Sequence, residues 1–110
     1  MVDLKGNPFY LKDEQIAWVN RTLENLTLDE KVGQLFCPIG MSTDEKALFD
    51  LAANKKVGGL LFRPGKGEEV QQAHRYLQQQ AKVPMLIAAN LEAGGTGSAI
   101  DGTRIGNPML

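Results

Sequence analysis

His74, Cys37, Arg63, Asn90, Glu92 and the run Gly94-Gly95-Thr96-Gly97-Ser98 are the groups whose types could do chemistry. A histidine moves protons near neutral pH, and a thiolate is a nucleophile and metal ligand. The chain of 110 residues has one histidine and one cysteine, so it holds no Cys/His cluster for zinc and no internal disulfide. His74 falls beside the apolar positions Val70 and Leu77, where packing at a boundary is the expected role. Cys37 is expected inside an apolar strand, behaving as a small hydrophobe. The glycine run invites a phosphate loop, in which backbone N–H groups surround an anion. Its spacing fails, because a G-x-G-x-x-G register from Gly95 puts Ile100 where glycine must stand. Gly65-Lys66 fails as a Walker loop, with Leu60 and Gly67 at positions that need Gly and Ser/Thr. No cofactor and no metal is expected.

Arg63, Asn90 and Glu92 gain interest from the elements that carry them. Ile16, Val19, Leu23 and Leu26 recur at spacings of three and four, an apolar stripe on a helix that Asp13 is placed to cap. Thr27 and Glu30 make a capping box for a second helix. A strand is expected near Gln34–Pro38, and Ser42 with Glu45 suggests a further box before the helical face of Ala47, Leu48, Leu51 and Ala52. Val57–Phe62 reads as the second strand. Val70, Ala73, Leu77 and Ala81 mark the next helix, and Met85–Ala89 the third strand.

Strand, helix, strand, helix, strand predicts parallel pairing in an α/β fold, with the strands adjacent in chain order. In such folds the ligand edge lies at the C-terminal ends of the strands. Arg63 follows the second strand, and Asn90 and Glu92 follow the third. Position alone leaves two readings of these residues, a plain loop start and a polar cluster able to hold hydroxyl groups.

Composition bounds the partners. Twelve Lys+Arg against thirteen Asp+Glu leave a net charge of −1, which gives no electrostatic case for nucleic acid or an anionic membrane. The apolar runs are too short to span a bilayer, and no apolar signal segment opens the chain. A cytoplasmic location is the expectation.

Three blocks together resemble the start of the glycoside hydrolase family 3 N-terminal domain, in its β-N-acetylglucosaminidase-like and β-glucosidase-like members. They are Leu26-Thr-Leu-Asp-Glu-Lys-Val-Gly-Gln-Leu-Phe36, Val57-Gly-Gly-Leu-Leu-Phe62 and Pro84-Met-Leu-Ile-Ala-Ala-Asn-Leu-Glu-Ala-Gly-Gly95. The likeness runs from Phe9 to Met109. It implies that residues 1–110 are the first three β/α units of a (β/α)₈ TIM-type barrel, incomplete here, since a whole barrel takes about 250 residues. Residues 1–12 would be an N-terminal arm and 91–110 the glycine-rich loop after the third strand.

The resemblance further implies retaining hydrolysis of terminal β-linked sugars, a β-N-acetylglucosaminide or a β-glucoside, with a carbohydrate as partner. That chemistry needs a carboxylate nucleophile and an acid/base. In the family both come from later segments, and no residue here matches either, so this chain alone is expected to be inactive. The family's sugar-binding Asp-x-Glu-x-Gly pattern falls on Asn90, Glu92 and Gly94, with Asn in place of Asp. Asn keeps an acceptor and adds donors but loses the charge. The arginine that often follows the glycines is not in place, and Arg104 is the next one along.

Two rival readings stand beside this one: a small α/β ligand-binding module without catalysis, and an interaction protein that completes its sheet with another chain. Glu92 and Asp101, nine residues apart across the glycine loop, offer a local acid/base pair only if the loop folds them together. A three-stranded slice would also leave sheet edges open, and association of copies through them is expected.

Overall fold

The computed structural model describes residues 2–63 and 65–106. Met1, Pro64 and residues 107–110, with them the end of the expected glycine-rich loop, lie outside the described residues. The chain forms α1 (Asp13–Asn25), α2 (Leu28–Gly33), β1 (Ile39–Gly40), α3 (Glu45–Phe49), β2 (Gly59–Phe62), α4 (Gly67–Gln80) and β3 (Leu86–Ala88). A π turn, Asp50–Asn54, prolongs α3, and a 3₁₀ turn, Gly95–Gly97, follows β3.

The sheet is parallel with the order β1-β2-β3, as the alternation of elements predicts. Leu61 is in register with Ile39 on one side and Ala88 on the other, and Leu60 with Ile87. Because side chains alternate along a strand, Leu60 and Phe62 point to one face, and Leu61 to the other with Ile39, Leu86 and Ala88. The first face carries the core. Leu60 and Phe62 pack there with Leu48 and Ala52 of the α3 segment and with Val70, Ala73 and Leu77 of α4. Leu60 and Leu77 are fully buried at 0% exposure. No helix among the described residues covers the opposite face, where Leu86 is 79% exposed and Ile39 52%.

Four local expectations need correction. The first strand is not Gln34–Pro38 but Ile39–Gly40. α2 runs on through Gly33, and Leu35 and Phe36 close turns back onto Val32 and Gly33. Pro38 has no N–H for a ladder, so pairing reaches full register only beyond it. Cys37 is therefore exposed outside a strand rather than inside one. The N-cap of α1 is Lys12, whose N–H donates to Gln15 Oε1 at 2.8 Å, and Asp13 is the first helical residue. The N-cap of α3 is Asp44, which accepts from the Ala47 N–H at 3.1 Å, while Ser42 accepts from the Asp44 N–H instead. Asp44, two residues nearer the helix than Ser42, has its carboxylate within reach of the third helical N–H and takes the cap.

The Thr27–Glu30 box forms as expected, with the Thr27 N–H donating to Glu30 Oε2 at 2.8 Å. Glu30 does more than cap. Its carboxylate, in a residue only 5% exposed, accepts from Lys56 Nζ at 3.0 Å and from Lys82 Nζ at 2.9 Å. Those lysines precede β2 and β3, so one carboxylate ties α2 to both strand entries. At the same end, Gln78 of α4 pairs with both backbone groups of Met85, at 2.9 and 3.0 Å. The N-terminal end of the sheet is the braced end. No described helix is long and apolar enough to cross a membrane.

Candidate functional site

At the opposite end of the sheet stand Arg63, Asn90 and Glu92. The Arg63 N–H donates to the Gly40 carbonyl at 2.9 Å, which carries the β1–β2 ladder one residue past the end of β2. The β2–β3 ladder ends at the Leu61–Ala88 pair, and the same register carried two residues further would set Arg63 level with Asn90. Strand alternation continued past both ends would turn both toward the face of Leu61 and Ala88. All three residues are exposed, so their polar groups stand open to a ligand. An arginine, an amide and a carboxylate within a few residues of two adjacent strand ends offer donors and acceptors of the kind that bind vicinal hydroxyls.

The loop that follows is a closed structure rather than a loose glycine tail. Gly94 bridges Arg104 in antiparallel fashion, and the Gly95 N–H donates to the Thr103 carbonyl at 2.8 Å. Gly94 has φ +101°, a conformation that glycine adopts without steric cost. The 3₁₀ turn folds back against the strand end: a Cβ on Gly97 would lie 1.3 Å from the Asn90 carbonyl oxygen. Only a residue with no side chain fits there, and its closeness fixes the backbone from which the Asn90 side chain projects.

The tip of this loop reaches α4. Gly65 pairs with Ala99 in a parallel bridge, the Ile100 N–H donates to the Gly65 carbonyl at 2.8 Å, and the Gly67 N–H donates to Asp101 Oδ1 at 2.8 Å. Asp101 thus caps α4 from 34 residues away and is committed to that helix rather than offered to Glu92 as a catalytic partner. The sequence by itself offers Asp101 only in the second role. Nothing in the spacing signals the first, because Lys66 stands at the N-cap and the capping oxygen comes from a distant loop.

His74 packs as expected. Its ring meets the Phe62 ring edge-on, with centroids 4.8 Å apart, and burial pushes its pKa below 6.5. Its Nε2 is buried with no hydrogen-bond partner among the described residues. It lies on the core side of the sheet, away from Asn90. No group of three or more metal-ligating side chains is present among the described residues.

The larger hollows are apolar and lie toward the braced end. One of about 560 Å³ is lined by Trp18, Leu23, Leu28, Leu35 and Val83 among others, and another of about 470 Å³ by Val32, Phe36, Leu51 and Val57. They hold few polar groups with which to orient a ligand, so the strand-end cluster remains the better candidate.

No family model matches the chain. It is 40% identical over 109 residues to a beta-N-acetylglucosaminidase/beta-glucosidase of Cellulomonas fimi, a match that covers 99% of this chain and 19% of that protein. A solved structure of the beta-glucoside phosphorylase BglX bound to 2FGlc superposes with a TM-score of 0.83 at 39% identity, over 96% of this chain and 20% of that one. A second BglX structure gives 0.79 at 39% identity, over 96% of this chain and 18% of that one. The resemblance read from the three blocks is borne out at this level, and the chain spans about a fifth of the length of each relative.

Proposed function

We propose that the chain is the N-terminal portion of a glycoside hydrolase family 3 enzyme that cleaves terminal β-linked sugars with retention. Residues 1–110 would form one partial domain, the first three β/α units of a (β/α)₈ barrel. The observation that carries the reading is the helix-free face of the sheet. Ile39, Leu61, Leu86 and Ala88 make that face apolar, and its C-terminal end finishes in Arg63 and Asn90. An apolar inner surface crowned by polar strand ends is what a closed barrel needs, with core inside and substrate at the C-terminal rim. The order β1-β2-β3 supports the same closure, and the similarity to proteins named for β-glucosides supports the substrate class.

In this reading Asn90 and Glu92 accept from and Arg63 and Asn90 donate to hydroxyls of the sugar in the cleavage subsite. The loop packed through Gly97 holds Asn90 in place. Two further groups perform the cleavage, a carboxylate that attacks the anomeric carbon and an acid that protonates the leaving oxygen. Neither is assigned to this chain, so the 110 residues alone bind sugar weakly and hydrolyse nothing above background. Positioning without nucleophile or acid leaves the barrier to glycosidic cleavage almost whole.

The solved relative is named a phosphorylase, which favours one second reading, transfer of the glycosyl group to inorganic phosphate instead of water. Product analysis separates them: free sugar in both the presence and absence of phosphate means hydrolysis, and a sugar 1-phosphate means phosphorolysis.

The binding role is tested in the full-length enzyme. Loss of two hydrogen bonds worth about 1 kcal/mol each predicts that Asn90→Ala lowers kcat/KM roughly thirtyfold. Gln79→Ala, on the exposed side of α4, should leave it unchanged. Near-native kinetics for Asn90→Ala would remove this residue from the site, and robust turnover by the 110-residue chain would overturn the reading of it as a portion of a larger barrel.

A further inference from the structure

Asp101 joins two segments that the sheet does not join. Arg63 follows β2 and Gly65 stands just before α4, while the loop that begins with Asn90 and Glu92 leaves β3. Three contacts fasten the second segment to the first: the Gly65–Ala99 bridge, the Ile100 N–H on the Gly65 carbonyl, and the Gly67 N–H on Asp101 Oδ1. The first two are backbone pairings, and the third is a side-chain contact, which makes it open to substitution. Gly67 is the first residue of α4, so its N–H is one of the donors that the helix itself leaves unsatisfied. The carboxylate sits where the helix end is positive, which strengthens its hold. From this tip the chain returns through the Gly94–Arg104 bridge to the 3₁₀ turn that rests on the Asn90 carbonyl.

We propose that Asp101 is a positioning residue: by capping α4 it holds the glycine loop onto the β2 end and so sets the separation of Arg63 from Asn90 and Glu92. The inference rests on the sugar-binding reading above. Asp101 touches neither substrate nor reacting atoms in this account. A loop released from α4 weakens sugar binding in the ground state and the transition state alike, which raises KM and leaves kcat close to its starting value. A merely structural role would lower the amount of active enzyme, and hence apparent kcat, with KM unchanged.

The experiment compares Asp101→Ala, Asp101→Asn and Gly67→Pro in the full-length enzyme with p-nitrophenyl β-glucoside and β-N-acetylglucosaminide. Asn retains the accepting oxygen and should keep KM near the starting value. Ala removes it, and KM should rise roughly three- to tenfold. Proline is favoured at the first helical position, and Lys66 already has the extended conformation that a following proline requires, with φ −64° and ψ 142°. Gly67→Pro therefore deletes the donor without breaking the helix, and its ring takes the space now held by Asp101 Oδ1, 2.8 Å from the Gly67 nitrogen, so KM should rise at least as far as in Asp101→Ala. The double variant should be no worse than either single one, since both remove the same contact. An unchanged KM in Asp101→Ala or in Gly67→Pro overturns the proposal, as does an Asn variant no better than the Ala variant. Where Asp101→Ala does not fold, Gly67→Pro against Asp101→Asn decides. A full-length enzyme that acts on neither glycoside defeats the sugar-binding reading itself, whereas an active enzyme indifferent to these substitutions defeats only the role of Asp101.

Discussion

Lys82 Nζ lies 2.9 Å from Glu30 Oε2, across 52 residues of sequence, and Lys56 Nζ lies 3.0 Å from the other oxygen of the same carboxylate. The Thr27 backbone N–H, Lys82 and Lys56 together hold the Glu30 pKa down to about 2, from a usual 4.5. The folded value is the depressed one, so the contribution to stability is complete above pH 4.5 and is lost as pH falls toward 2. Thermal melts followed by circular dichroism should show the midpoint dropping across that window. Glu30→Gln should lower the midpoint at neutral pH and flatten the acid dependence. A wild-type acid dependence no steeper than that of the variant would count against the triad.

His74 makes a second pH prediction. The protein has one histidine, so its ring protons are read without assignment. Burial against Phe62 disfavours the charged imidazolium, and the ring should titrate below 6.5 in a proton NMR series. The sign follows as for Glu30: the stabilisation is present above 6.5 and is lost as pH falls through the lower folded value. A titration at or above 6.5 would mean that the ring is wetter than the fold implies.

Gly97 tests the loop. An alanine methyl there would collide with the Asn90 carbonyl, from which an ideal Cβ stands 1.3 Å away. The chain must shift, at a cost of about 1–3 kcal/mol for overpacking of this kind. Gly97→Ala should lower the denaturation midpoint, and amide chemical-shift changes should concentrate at Asn90 and Leu91. Wild-type stability with unmoved Asn90 signals would show that the 3₁₀ turn does not bear on the strand end.

The open face predicts association. With Leu86 79% exposed on a sheet face that bears no helix, the 110-residue chain should self-associate in light scattering. Leu86→Lys should shift it toward monomer without lowering its melting point, because the side chain gives up little packing. A monodisperse wild-type monomer with a cooperative melt would favour the complete-module reading instead.

Elements and their order were legible in the sequence because their causes are local. Val70, Ala73 and Leu77 recur at the helical period, Thr27 and Glu30 stand at capping-box spacing, and Val57–Phe62 is an apolar run of strand length, so helix, cap and strand followed from neighbours a few residues apart. The parallel order of strands followed from alternation, since a parallel pair needs a crossover between its members. The boundaries of β1 were not legible, because α2 continues through Gly33 and Pro38 cannot donate, a competition between two local tendencies that only packing resolves. Asn90 and Glu92 could be placed at a strand end, but how they stand to Arg63 depends on the register between strands, which sets Leu61 beside Ala88. Only the tertiary structure decided what reaches across the chain: Lys56 and Lys82 meeting on Glu30, Gly97 resting on Asn90, and Asp101 capping α4 from 34 residues away. Such contacts carry no spacing signal. Each depends on the relative placement of elements, which the burial of Leu48, Leu60 and Leu77 in a shared core sets and which no pattern of near neighbours encodes.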